Sequence, residues 1–423
     1  MRNEPIGISE SRILDIGNLK EYFAGHVKPL LSGKVGLEYE LILIDRARSM
    51  QLSYWGGNGI AEILLAFTKI GYQAVYDGAL LIGLTKESVR VSLEPGGQIE
   101  FSGTASLTAI DVHKELLAFL AALKQICAKL DVDVLAIGCN PVDKASQVEV
   151  IPSARYQAIM PILCEAAAGS SSQKITASMQ VSLDYFSELH AEKCLSLGAL
   201  AQPFIVAICG NSAVVGNVTT GWKSSRMRMW RDFPEARCGV PQFLLNINSD
   251  EGIFSTYTRW ACNRRLFYIV RNGSVIKPGC MTFSDFMRFG YGGYEANIDD
   301  WVLHLSTLYP EARLKNVIEL RSADTCSPAY AAALAAFWRG LFYSDQALER
   351  SQHLLNFIDY LSLDRLYMDA ARVGLAANVA GKYKVASVAK ELIETSRMGL
   401  VDLRACEAEL AYLDVFLEVV NGG

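Results

Sequence analysis

Residues 35–45, VGLEYELILID, constrain the fold most, because their strict alternation fits a β-strand and sets two carboxylates, Glu38 and Glu40, side by side on one face. Leu37, Tyr39 and Leu41 take the other face. The pattern recurs three times. In SLEPGGQIEFSG, Gln98 and Glu100 share a face opposite Ile99 and Phe101, and Glu94 stands just before the Pro95-Gly96-Gly97 bend. In SMQVSLDY, Gln180, Ser182 and Asp184 alternate with Met179, Val181 and Leu183. In VIELRSAD, Glu319 and Arg321 alternate with Ile318 and Leu320. Any one such strand reads as a half-solvated antiparallel strand. The four together resist that reading, since they bring Glu38, Glu40, Glu94, Glu100, Asp184 and Glu319 against a single arginine. If one sheet carries them, so many carboxylates repel unless cations sit among them, and oxygen-rich sites suit Mg²⁺ or Mn²⁺.

Helical patterns separate the strands. Residues 106–130 place apolar side chains at 116, 119, 120, 123, 126, 127 and 130, and Thr108 with Asp111 can cap the start, so a helix lying on the sheet is expected. From Ser327 onward the chain is rich in Ala and Leu with few turn signals and is expected to be mostly helical. Loops are expected at 168–174, 211–225 and 289–300, where Gly, Ser and Asn cluster. Loops of that length are often lids, and 211–225 is the one assigned to closing over the site.

A hydrophobic content of 51% against 20% charged residues gives this chain of 423 residues a large core, in one or two domains. The net charge of −5 and the lack of a Lys/Arg block exclude a nucleic-acid partner. Gln202 and Asn211 interrupt ALAQPFIVAICGNSAVVG, and Arg339 ends AYAAALAAFW, so no membrane span is expected. The opening MRNEPIGISESRILD is acidic where a signal peptide is basic and apolar, and ten cysteines without a CxxC pair fit reduced, mostly buried thiols. Both point to the cytoplasm.

A basic cluster of the opposite sign lies in GWKSSRMRMWRDFPEAR, with Lys223, Arg226, Arg228, Arg231 and Arg237 beside Trp222 and Trp230. Arg228 and Arg231 suit an exposed loop; the others suit a clamp for phosphate or carboxylate, which guanidinium forks bind bidentately. Metals on one side and arginines on the other describe phosphoryl transfer. GNVTTGWKS has one residue too many for a P-loop, GGNGIAE lacks the third glycine of a dinucleotide fingerprint, and no GxSxG or HExxH occurs.

The stretches GLEYEL, SLEPGGQIEFSG, IGCNP followed by ARYQAIMP, MQVSLDY, ALAQPFIVAICGNS, SSRMRMW, DDWVLHLSTLYPEARLKNVIELRSAD and AAFWRGLFY, in that order over about residues 30–345, resemble the plant and proteobacterial type of glutamate–cysteine ligase. That family lies within the glutamine synthetase-like carboxylate–amine ligases. The resemblance implies an α+β fold: a curved, mostly antiparallel sheet with the site on its concave polar face and helices on its back. Residues 1–345 would form the catalytic domain, with 346–423 a helical region packed on it. It implies ATP and Mg²⁺ as cofactors, Mn²⁺ as a substitute, glutamate and cysteine as substrates, and a monomer or homodimer. It implies metal ligation by Glu38, Glu40, Glu94, Glu100 and Glu319 with Gln180 close by, and a grip on the amino acid by Arg226 and Trp230. Arg321 would face the transferring phosphate, and Arg155 and Tyr156 would bind near the substrates. Two stretches depart from the family pattern: ITAS lacks a usual cysteine, and RSAD stands for RGAD. Both are expected to touch the substrate pocket, which makes a different amine or acid, as in secondary metabolism, the alternative. A binding protein without activity is disfavoured because no metal-position carboxylate is lost.

Overall fold

The alternating segment 35–45 becomes the central strand of a ten-stranded sheet. The computed structural model describes residues 15–30, 32–164, 169–231, 237–246 and 251–422. Its sheet strands are β1 (Val35–Asp45), β2 (Met50–Gln51), β3 (Gln73–Asp77), β4 (Leu80–Lys86), β5 (Val89–Leu93), β6 (Ile99–Ser102), β7 (Val132–Leu135), β8 (Ser178–Leu183), β9 (Ala312–Leu314) and β10 (Ile318–Asp324). They run in the order β9-β10-β8-β1-β6-β5-β4-β3, every pair antiparallel. The first half of β1 pairs with β6 and β8, while its second half pairs with β2 and β7. Sitting between two sets of partners is why β1 is so apolar outside its two glutamates. The expected α+β class with a large antiparallel sheet is the one observed.

The apolar face of the sheet is covered by helices. Leu37, Tyr39, Phe101, Met179, Val181 and Leu320 are buried together with the apolar stripe of α1 (Ala109–Lys129). Thr108 caps that helix by accepting the Asp111 N–H, as its sequence predicts. Phe119 stacks on Phe101 at 4.9 Å between ring centres. On the other face stand α2 (Ala154–Cys164) and α3 (Gly169–Ile175). The central helix α4 (Glu188–Cys209) crosses behind β10 and is followed by α5 (Ser225–Arg231) and α6 (Pro328–Tyr343). Helices Asp345–Leu355, Tyr360–Val373, Val385–Asp402 and Tyr412–Gly422 make the C-terminal part helical, and their apolar sides join the same core, down to Val420.

Helix α4 corrects one expectation: at 22 residues it is long and apolar enough to cross a membrane, yet most of it is buried within this core. Pro203 has no N–H to give the Ala199 carbonyl one turn earlier, and the Tyr367 hydroxyl donates to that oxygen instead, at 3.0 Å. Two expected loops are also more ordered. Residues 169–175 are helical, with Ala168 outside the described residues. Within 211–225, Val214–Val215 and Val218–Thr219 form a hairpin around Gly216 and Asn217, both at positive φ (54° and 64°), as a two-residue turn requires. That hairpin is fastened at its tip, where the Gly216 and Asn217 N–H groups donate to the Asn140 and Pro141 carbonyls. Its base is held by Asp324, which accepts from Asn211 N–H and from the Ser212 and Ser224 hydroxyls. It is pinned at both ends, which a closing lid would not be.

Candidate active site

Register brings the four polar strand faces together. Glu40 stands directly opposite Glu100, and Glu38 opposite Gln180. Glu319 lies opposite Ser182 on the next strand over. Glu94 joins them through the Pro95-Gly96-Gly97 turn: Glu94 N–H donates to Gln98 O, Gly97 N–H donates back to Glu94 O, and Gly97 has φ 86°. At Gly96 a Cβ would come within 2.0 Å of the Lys174 carbonyl oxygen, so no other residue fits. Gln98 braces this bend. Its amide donates to the Gln173 and Thr176 carbonyls and accepts from Gly96 N–H, so it is a structural residue.

Carboxylate oxygens of Glu40, Glu94 and Glu100 lie within 4.8 Å of one another. Glu40 accepts from Ser178 N–H (2.7 Å), the Ser178 hydroxyl (2.9 Å) and the Gln180 amide (2.9 Å). Burial, reinforced by the neighbouring Glu100 charge, pushes Glu40 up to about 7 against the pull of Arg226. Burial and then the charges of Glu100 and Glu40 raise Glu94 well above the usual carboxylate range. Burial also raises Glu38, with Glu100 and Glu319 adding to it. Glu100 goes the other way, lowered against its burial with the help of hydrogen bonds from Ser92 and Ser102, and a cation can stand in for the protons that Glu40 and Glu94 hold. The donor set, all oxygen with a carboxamide beside it, fits a hard divalent ion.

Glu319 is in a different condition. Burial opposes its charge, but Arg313, Lys315 and Arg321 more than offset this and keep it well below the usual range. Arg313 stands directly across the β9–β10 pair, only 1% exposed, and donates from Nε at 2.7 Å and from a second guanidinium nitrogen. Lys315 Nζ donates to the other oxygen at 2.5 Å. Arg321 reaches Glu319 at 3.2 Å and also donates to the Gln180 side-chain oxygen.

Glu38, Glu40, Glu94, Glu100, Gln180, Arg155, Tyr156, Arg226, Trp230 and Arg321 line a single cleft, the carboxylates on the sheet and the arginines and rings around them. Tyr156 is fixed by its hydroxyl donating to Leu93 O, and Arg155 lies over its ring at 5.6 Å. Trp230 donates from its indole to the Thr176 hydroxyl and meets Tyr309 edge-on. Arg226 is buried, with its guanidinium donating to the Arg321 and Ser322 carbonyls, so its fork is partly spent on the backbone of β10.

The basic segment does not act as one clamp. Arg228 is exposed and lies over Trp222; Arg231 pairs with Asp364; Arg237 is buried and donates to Thr307. Among the basic residues of that segment only Arg226 lines the cleft, with Trp230 beside it, because the short α5 turns Arg228 and Arg231 away. Asp184 leaves the acidic group as well: its carboxylate accepts Lys34 N–H, just past the end of β8. Of the departing stretches, Ala177 packs with Ile42 and Ile44 and Ser322 donates to Glu311, neither among the residues lining the cleft; Thr176 and Ser178 do line it. Sequence reasoning missed Arg313 and Tyr309, both in the wall. The signal for Arg313 was present in ARLKNVIEL, where a tight hairpin sets Arg313 opposite Glu319.

The chloroplastic glutamate–cysteine ligase B of Oryza sativa subsp. japonica is 27% identical over 414 residues, spanning 96% of this chain and 81% of that one. The chloroplastic glutamate–cysteine ligase of Medicago truncatula is 27% identical over 423 residues, spanning 96% and 79%. Among solved structures, a glutamate–cysteine ligase from Francisella tularensis in complex with AMP matches with a TM-score of 0.49 at 10% identity, over 93% of this chain and 83% of that one. The cytoplasmic expectation is overturned by these relatives, whose names place them in chloroplasts rather than the cytosol. The model of glutamate–cysteine ligase family 2 matches residues 34–422, so the chain belongs to that family and is a ligase.

Proposed function

We propose that the chain joins the γ-carboxylate of glutamate to the amine of cysteine, using ATP, through a γ-glutamyl phosphate. The observation that carries this reading is the meeting of Glu40, Glu94 and Glu100 within 4.8 Å, in one cleft with Arg155, Arg226, Arg313 and Arg321. Carboxylates for a cation facing arginines for an anion suit transfer of a phosphoryl group. Glu38, Glu40, Glu94 and Glu100 would hold Mg²⁺, or Mn²⁺, with Gln180 beside them; Glu319 would join them only on releasing its ion pairs with Arg313 and Lys315. A bound cation would offset the negative charge of the ATP phosphates.

The chain's own groups do the rest. Arg321 points the transferring phosphoryl toward the substrate carboxylate, whose oxygen attacks the γ-phosphorus as ADP leaves. Arg226 and Trp230 hold the amino-acid end of the donor, and Arg155 and Tyr156 close the wall behind the substrates. The amine nitrogen then attacks the acyl carbon; the arginines stabilise the developing oxyanion, and phosphate leaves with the bonding pair and takes up the proton that the nitrogen releases. Residues 1–345 carry this machinery, and 346–423 brace it from behind.

A matrix of single acids and amines with Mg-ATP, followed by phosphate release and product mass, tests the reading. Glutamate with cysteine is expected to give γ-glutamylcysteine. Discrimination between similar amines rests on about 1–3 kcal/mol per group, within reach of the Thr176 and Ser178 positions. Turnover of another pair alone would replace the substrates while keeping the ligase chemistry.

A further inference from the structure

Gln202 is an amide in the middle of the apolar helix α4, 1% exposed, and it does not itself line the cleft. Its partners explain its presence. Between Leu320, paired with Val181, and Ala323, paired with Met179, the register of β10 slips. Arg321 and Ser322 therefore stand opposite the single residue Gln180, the two-against-one count of a β-bulge, and their backbone groups leave the β8 ladder. The Gln202 side-chain oxygen accepts both freed N–H groups, Arg321 at 2.8 Å and Ser322 at 2.9 Å. Arg321 N–H also reaches Glu311 O at 3.2 Å, and the Gln202 amide donates to that same carbonyl at 2.7 Å. The two carbonyls of the bulge are taken by the Arg226 guanidinium.

We propose that Gln202 is a positioning residue of the active site: it fixes the bulge in β10 and, through it, the aim of the Arg321 guanidinium at Gln180 and Glu319. A bulge beside a site re-aims a side chain only if its unpaired backbone has partners, since a buried N–H without an acceptor would pull the strand back into register. Gln202 supplies them from a helix locked in the core. A polar side chain at this depth is otherwise out of place. The inference rests on the role proposed above for Arg321 in phosphoryl transfer.

The test is kinetic. Gln202→Met keeps the length and packing and removes both acceptor and donor. It is expected to lower kcat by about 10²-fold, the cost of a misplacement near 1 Å, with KM for ATP within about threefold. In an Arg321→Ala background the same change is expected to cost under about threefold, because the group it positions is gone. Gln202→Glu, whose protonated carboxyl keeps an acceptor for the two N–H groups and a donor for the Glu311 carbonyl, is expected to recover most of kcat on the acid side of the pH profile. Calorimetric Mg-ATP binding is expected to be equal in wild type and Gln202→Met. An equal loss in both backgrounds, or unchanged kcat in folded Gln202→Met, overturns the inference. If Arg321→Ala alone leaves turnover intact, the proposed role of Arg321 fails, whatever Gln202 does. Should Gln202→Met not fold, Gln202→Asn, too short to reach both N–H groups, is assayed against the same criteria.

Discussion

Stability of the metal-free protein should fall as pH rises from about 6.5 to 8.5, and Mg²⁺ should reverse the trend. Glu40 ionises near 7 in the folded protein and near its ordinary 4.5 when unfolded, so the folded state binds the extra proton. A raised carboxyl contributes stability that is fully present below the unfolded value and is lost as pH rises through the folded one. For Glu40 alone the whole span is worth roughly 3 kcal/mol, of which roughly 1 kcal/mol falls inside this window. Glu38 and Glu94 are raised as well and add with the same sign. Glu319 is depressed, so its contribution is lost only in acid, outside the window. His304, buried and pushed down to about 3, works the other way at the acid edge, costing stability as pH falls through the range where a free imidazole protonates, and it cancels between wild type and a Glu40 variant. Denaturant unfolding in EDTA at the two pH values, on wild type and Glu40→Gln, isolates the term: the wild type should lose roughly 1 kcal/mol more than the variant. Mg²⁺ at about 100 times its Kd should add about 2.7 kcal/mol at the alkaline end and less at the acid end, where protons must first leave. Parallel pH profiles for wild type and variant, or a Mg²⁺ effect that does not grow with pH, would refute the reasoning.

Glu38→Gln and Glu319→Gln should both abolish ligation yet separate in stability. The first removes one charge from a repulsive group and leaves urea unfolding unchanged or improved, whereas the second strands the buried Arg313 and costs about 3–5 kcal/mol. A sulfoximine analogue of the tetrahedral adduct, incubated with Mg-ATP, should become phosphorylated and inhibit slowly and tightly, since mimics of the transition state gain orders of magnitude over substrates; weak inhibition independent of ATP would count against an acyl phosphate.

The carboxylate face was legible because a period of two is a local property: Glu38, Glu40, Glu100, Gln180 and Glu319 needed only their own strands to declare a side, and pairing then aligned them. The caps and the α1 stripe were legible for the same reason. The basic segment was misjudged because density of charge in sequence says nothing about direction. On α5 only Arg226 among its arginines lines the cleft, while Arg228 and Arg231 find Trp222 and Asp364 elsewhere. Glu319 was assigned with the other glutamates, although Arg313, Lys315 and Arg321, all within six residues of it, carried the signal that cations already hold it. Hidden furthest was the bulge. Nothing in VIELRSAD announces that Arg321 and Ser322 share one partner, and the residue that satisfies them is more than a hundred positions away in a helix that read as apolar but for one interruption. That interruption was the signal. A lone amide in an apolar run cannot be there for packing, which it harms, so its buried donors and acceptors imply backbone nearby that has left its ladder and needs them. In this ligase that backbone is the bulge that carries Arg321.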